Sequence, residues 1–224
     1  MRFVWLILGF SLMLPAQPSL QFAGQVGIQP VRIMLKGSGS VVLGVTATGG
    51  NPAGTIQAAS FGGSYPSTQI TLENPSDVPR SGIDTPLDAA FDSGGNLWIV
   101  GSTTSDDFSL VNPIVAKKVP YRQTGFVVEL DPTGSTVKFA TYLGGQGACQ
   151  LSCTSYASAV TADNSGNVYI AGATDESDFP STPGALLTSG PHVDTHGNTY
   201  YYSFVLKISA SGTESLSAAN VSTV

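Results

Sequence analysis

Two cysteines and two histidines carry the most distinctive chemistry in the chain. Cys149 and Cys153 stand in a Cys-x3-Cys spacing, and His192 and His196 repeat that spacing further on. Two thiolates and two imidazoles are a ligand set that zinc accepts in a closed tetrahedral site. Cys149, Cys153, His192 and His196 are therefore a candidate metal set. The competing chemistry is a Cys149–Cys153 disulfide, which an even pair within one short loop favours in an oxidising compartment. The disulfide is the reading adopted, with no bound metal and no cofactor expected.

Carboxylates form the second group. Asp106-Asp107 and Asp175-Glu176 with Asp178 lie in corresponding stretches. Calcium would need a richer ligand array, and no 12-residue calcium loop is present. These acids read as solvated loop charge. Asp92 and Asp163, each followed by Gly and Asn, read as hairpin-turn residues that tolerate left-handed backbone. Tyr200-Tyr201-Tyr202 offers a platform for stacking sugars, but a strand with alternately buried tyrosines is the preferred reading. Lys117-Lys118, with Arg122 nearby, reads as a solvated loop. With a net charge of −6, nucleic acid is excluded as a partner, because phosphate binding rests on clustered Lys and Arg. No G-x-S-x-G elbow, Walker loop, H-E-x-x-H or G-x-G-x-x-G occurs, so no catalytic residue is assigned.

The elements that must position these groups repeat along the chain. Leu87–Phe91, a turn at 92–96, and Leu97–Val100 recur 71 residues later as Ala157–Ala162, a turn at 163–167, and Val168–Ala171. A fixed long offset is the signature of a repeat architecture. Phe126–Leu130 and Phe204–Ile208 form a third strand type, and Val137–Tyr142 a fourth. Tight Gly-containing turns join the first to the second type and the third to the fourth, as antiparallel hairpins require. Four antiparallel strands per repeat is the make-up of a β-propeller blade. Low charge with 26 Gly and 14 Pro fits many short strands and turns.

The residues LDPTGSTVKFATYLGG (130–145) and SAVTADNSGNVYIAGATDESDFPSTPGAL (158–186) resemble the SBBP-type bacterial β-propeller repeat. The likeness spans residues 85–213 well and 41–63 more weakly. Ser109 stands where the pattern has Pro, and Trp98 where it has Tyr. The resemblance implies a bacterial secreted or surface protein built of tandem blades, and it implies no established catalytic residues.

The expected fold is all-β, an incomplete β-propeller of about two and a half four-stranded antiparallel blades. Its expected divisions are a signal peptide at 1–16, an N-terminal segment of unclear structure at 17–40, and a repeat region at 41–224. The repeat region holds a partial blade at 41–63, where Val41–Val45 and Thr55–Phe61 supply the third and fourth strand types. Full blades follow at 85–145 and 157–219, the last strand of the second being doubtful. Arg2 followed by the apolar run Phe3–Leu14 is too short to span a bilayer, which needs about 20 residues, and reads as a secretory signal. The expected location is secreted, periplasmic or cell surface. Binding is expected on the face formed by the long loops 62–84, 102–124, 144–156 and 173–202. The expected role is a non-enzymatic binding or scaffold module for a polysaccharide or protein, the chain being either a fragment of a longer propeller or one part of an assembly in which self-association or additional blades complete the ring. The alternative is a carbohydrate-active hydrolase or lyase. Acid groups converging with a His at the central channel would favour the enzyme, and a channel lined by Ala, Ser and Thr the scaffold.

Overall fold

The computed structural model describes the backbone of 29–36, 39–45, 55–61, 68–71 and 219–221, and backbone and side chains of 82–147, 153–182 and 201–210. Twelve strands are present and no helix occurs among the described residues. The strands are β1 (Gln29–Lys36), β2 (Gly39–Val45), β3 (Thr55–Phe61), β4 (Thr68–Thr71), β5 (Asp84–Phe91), β6 (Leu97–Thr103), β7 (Thr124–Leu130), β8 (Val137–Leu143), β9 (Ser155–Ala162), β10 (Val168–Thr174), β11 (Tyr202–Ile208) and β12 (Ala219–Val221). They form three four-stranded sheets, each meandering in chain order and antiparallel throughout. The first strands of successive sheets abut, β1 against β5 and β5 against β9. The series is open.

Three expectations are corrected here. The segment at 17–40 contains a strand, β1, so the sheet expected as a pair at 41–61 has four strands. Thr55–Phe61 is the third strand of its sheet, whereas Val137–Leu143, whose Gly-Gly ending it shares, is a fourth strand. A short apolar run before Gly-Gly marks a strand end, not a place in the sheet. The doubtful last strand is present as β12, paired with Ser203–Val205. The signal peptide expected at 1–16 lies outside the described residues.

The repeat motif is explained by packing. β6 is buried along its whole length, as a mid-sheet strand covered on both faces must be. Gly101 on β6 and Gly172 on β10 lie opposite corresponding bulges in β5 and β9. A Cβ at Gly101 would lie 2.1 Å from the Thr85 carbonyl oxygen, and one at Gly172 2.1 Å from that of Tyr156. Phe126 and Phe204 press on the same glycines, at 2.9 and 2.5 Å from those positions. Phe108 and Phe179 then pack on Phe126 and Phe204, with ring centroids 5.2 and 4.5 Å apart. The aromatic of the acidic segment therefore closes the core beside the strand-end glycine.

Two apolar clusters result. One fills one side of the second sheet with Leu97, Ile99, Phe126, Val128, Leu130 and Tyr142. The other joins the second sheet to the third, bringing Trp98, Val100, Val127 and Leu143 against Ala157, Ile170, Phe179, Phe204 and Leu206. At about 25 cal/mol per Å² of apolar surface removed from water, this seam makes the two sheets one packed body.

Candidate binding pocket between two sheets

The hairpins that open the second and third sheets each turn on one aspartate. Asp92 accepts the backbone N–H of Asn96 at 2.9 Å, the Asn96 side-chain amide at 2.7 Å, and the Trp98 indole N–H at 3.0 Å. Asp163 accepts the Asn167 backbone N–H at 2.9 Å, the Asn167 amide at 2.7 Å, and the Tyr169 hydroxyl at 3.1 Å. The left-handed conformation belongs to Gly95 and Gly166, both at φ 81°, and not to the aspartates. Burial pushes the Asp92 carboxyl up, but the Trp98 and Asn96 hydrogen bonds outweigh it and hold it below the usual carboxylate range. Asp163 is held low chiefly by the Asn167 amide. Trp98 and Tyr169 are interchangeable because each places a donor at the same carboxylate.

These turns border a cavity of about 480 Å³ between the second and third sheets. Asp92, Asn96, Glu129, Lys138 and Asn112 line it with polar groups, Trp98, Phe139, Ile114 and Ile208 give it an apolar floor, and Ser165 and Gly166 close it from the third sheet. The size falls within the range of ordinary small-molecule sites, roughly 300–1,000 Å³. Lys138 donates to Glu129 at 2.9 Å and to Asn96 at 3.3 Å, leaving one ammonium proton of three. Asn112, at φ 48°, is anchored through its amide to the Lys138 carbonyl at 3.3 Å. Trp98 and Phe139 meet as a tilted pair, 6.0 Å between centroids. The pocket lies beside the tight turns, whereas binding was expected on the long-loop face. Sequence reading missed Glu129, Lys138 and Phe139 because they belong to regular strands; the six-residue step from Asp92 to Trp98, matched by Asp163 to Tyr169, was the available signal.

Of the acidic segments, Asp106 and Asp178 are exposed as expected, whereas Asp175 and Glu176 are not solvated charge. Glu176 and Asp175 are 3% and 6% exposed. Glu176 accepts the Gly145 N–H at 2.6 Å and the Ser155 hydroxyl, Asp178 accepts the Gln146 N–H at 2.8 Å and that of Gly147, and Asp175 accepts the Thr154 N–H. The glycines leave room for these carboxylates: a Cβ at Gly145 would sit 2.0 Å from Asp178 Oδ1, and one at Gly144 2.8 Å from Glu176 Oε2. Burial is the main force raising the Glu176 carboxyl, with Asp178 and Asp175 adding to it against the Ser155 and Gly145 hydrogen bonds. In the second sheet the same two positions exchange residue types: Ser105 donates to Asp84 at 3.2 Å, as Ser155 donates to Glu176. The segment is a loop clamp that spends its carboxylates on backbone N–H groups.

The other singled-out residues divide. Lys118 is buried and pairs with Asp106 at 2.5 Å, donating also to the Val119 and Arg122 carbonyls, so it is a loop tie and not solvated charge. Lys117 and Arg122 are exposed. Tyr201 is exposed and lies 6.4 Å, centroid to centroid, from Tyr156, while Tyr202 opens β11 half-buried. Cys153 is buried at the entry to β9, with φ 47°. Cys149, His192, His196 and Tyr200 lie outside the described residues, and among those described no cluster of three metal-ligating side chains occurs.

Comparison with known families places residues 138–180 in the SBBP model, a β-propeller repeat. The matched span runs from β8 across the loop clamp through β9 and β10 to Pro180, and so covers Gly144–Gly145, the Asp163 turn with Gly166, Asn167 and Tyr169, and Gly172. A search of curated proteins found no match.

Proposed function

We propose that this chain, whose residues 138–180 are an SBBP β-propeller repeat, is an exported, non-enzymatic binding module in which successive blades cradle a neutral polysaccharide segment. One observation carries this reading: the cavity beside Trp98 is preformed and polar, yet its acids are already engaged. Asp92 accepts hydrogen bonds from Asn96 and Trp98 and Glu129 is paired with Lys138, so neither is poised as a general acid or base. Sugar hydroxyls both donate and accept, which suits an ammonium, amides and carboxylates side by side over an apolar floor. Fixed Asp92 and Glu129 charges oppose an anionic ligand. The exposed positions on the inner strands, Thr85, Leu87, Ser158, Ala159 and Thr161, are uncharged, which supports a scaffold over the hydrolase or lyase alternative.

Export rests on Arg2 and the apolar run to Leu14, and with it the Cys149–Cys153 disulfide. Alkylation and mass spectrometry of protein recovered from a bacterial envelope fraction should show no modified cysteine and a start near Gln17. Calorimetric titration with neutral oligosaccharides tests the binding role. Saturable heat without release of reducing ends supports it, and steady release of reducing ends would favour the enzyme.

A further inference from the structure

The charged side chains among the described residues lining the cavity between the second and third sheets are Asp92, Glu129 and Lys138. Glu129 and Lys138 pair at 2.9 Å and cancel. Asp92 is different, because the donors that reach its carboxylate are neutral: the Asn96 backbone N–H, the Asn96 amide and the Trp98 indole. Such bonds favour the ionised form but bring no positive charge. Two carboxylates against one ammonium leave one negative charge in excess.

The surroundings add to that excess. Asp163 lies in the turn that supplies Ser165 and Gly166 to the cavity, and its side-chain donors, Asn167 and Tyr169, are again neutral. Lys207, beside the lining residue Ile208, is turned to the Tyr169 ring instead, its ammonium 5.6 Å from the centroid. Glu129 also has acceptor capacity to spare: among the described residues only Lys138 reaches its carboxylate, through Oε1, and a carboxylate accepts through both oxygens. The Glu129 side chain is 12% exposed, so a ligand in the cavity can reach it. Trp98 and Phe139 stand beside these acids in the cavity wall, and an aromatic face, indole above all, attracts a cation.

We infer that the sugar unit seated here carries a free amine, so that the ligand is an amino-sugar polymer, partly de-N-acetylated and neutral along the rest of its length. Its ammonium matches the excess carboxylate, and the hydroxyls around it match Ser93, Asn96, Asn112 and Ser165. A simple alkyl amine would answer the charge but offer nothing to those amides and hydroxyls. The inference rests on the reading of this cavity as a saccharide seat.

Calorimetric titration of the full chain tests it, comparing chitotriose with the fully de-N-acetylated glucosamine trimer at low salt, in mildly acid buffer that protonates the sugar amine. The glucosamine trimer is expected to bind at least about tenfold more tightly, and the gap to narrow at high salt. Asp92→Asn and Glu129→Gln each remove the excess charge, and each should close most of the gap. Glu129→Gln supplies the check should Asp92→Asn not fold, since Asp92 also holds its hairpin. Chitotriose bound as tightly as the glucosamine trimer, or a preference that neither variant reduces, would overturn the inference while leaving the saccharide seat standing. Heat from no sugar, neutral or amino, would remove the seat itself and the inference with it.

Discussion

The Asp88 carboxylate accepts the backbone N–H of Val160 at 3.0 Å, tying the first strand of one sheet to the first strand of the next. Asp88 is 7% exposed, so the bond is made away from bulk water. The apolar contacts between these two sheets fix distance more than register. This bond, with the Ser155 N–H donating to the Gln123 carbonyl at 3.2 Å, adds register.

Replacing Asp88 by Ala leaves the Val160 N–H without its acceptor. A buried donor left in that state costs about 2 kcal/mol. Asp88→Asn keeps an acceptor oxygen and is expected to lose less than half as much. Urea unfolding of the two variants checks this; equal losses would show that charge, and not the hydrogen bond, matters.

At Gly172 the limit is steric. The groups that a Cβ would meet are the Tyr156 carbonyl oxygen and the Phe204 ring, and the former is backbone within the sheet. Gly172→Ala is expected to cost about 3 kcal/mol by overpacking. Gly94, in the first turn, would place its Cβ no closer than 3.3 Å to a side-chain atom, and Gly94→Ala serves as the tolerated control in the same thermal-melt series.

The turn aspartates set an acid limit. Asp92 titrates below the usual carboxylate range in the fold, so its contribution is present above the unfolded value of about 3.9 and is lost as pH falls through the folded value. Asp92→Ala removes acceptors for Asn96 and Trp98 at a partly exposed site and is expected to cost about 2 kcal/mol at neutral pH. The difference from wild type should shrink in acid. A pH-independent difference would contradict the assignment.

Glu176 has the opposite sign. Its carboxyl is raised, first by burial, so its contribution is full below the unfolded value of about 4.3 and declines as pH rises through the folded value. Glu176→Gln mimics the protonated acid. Its melting temperature relative to wild type should therefore climb between mildly acidic and neutral pH, and a fall over that interval would contradict the burial account.

What could be read in advance followed from local rules. The repeat at Asp92 and Asp163, the hairpin turns and the strand types needed only alternation and turn chemistry, and the third and fourth strand types of the second sheet were found within a few residues. Three things needed tertiary contact. β1 carries no turn signal between it and the chain before it, and so did not stand out. The carboxyls of Asp175 and Glu176 look like surface charge until the Thr154 and Gly145 N–H groups are seen to reach them. Lys138 and Glu129 are strand residues in any local reading, and only the neighbouring sheet, through Ser165 and Gly166, turns their side of the hairpin into a pocket wall.

The emission of Trp98 tests the central claim most directly. The chain has two tryptophans, Trp5 and Trp98, and a protein beginning at Gln17 keeps only Trp98, on the pocket floor with its indole bonded to Asp92. Titration with maltotriose, cellotriose and chitotriose should give a saturable change in its emission with at least one of them, and none with a galacturonic acid trimer. Lys138→Met, which keeps the side-chain stem but removes the donor, should weaken that binding by roughly tenfold, about 1.4 kcal/mol. Flat emission with all three neutral sugars, or a titration that Lys138→Met leaves unchanged, would contradict a polysaccharide seat between the blades.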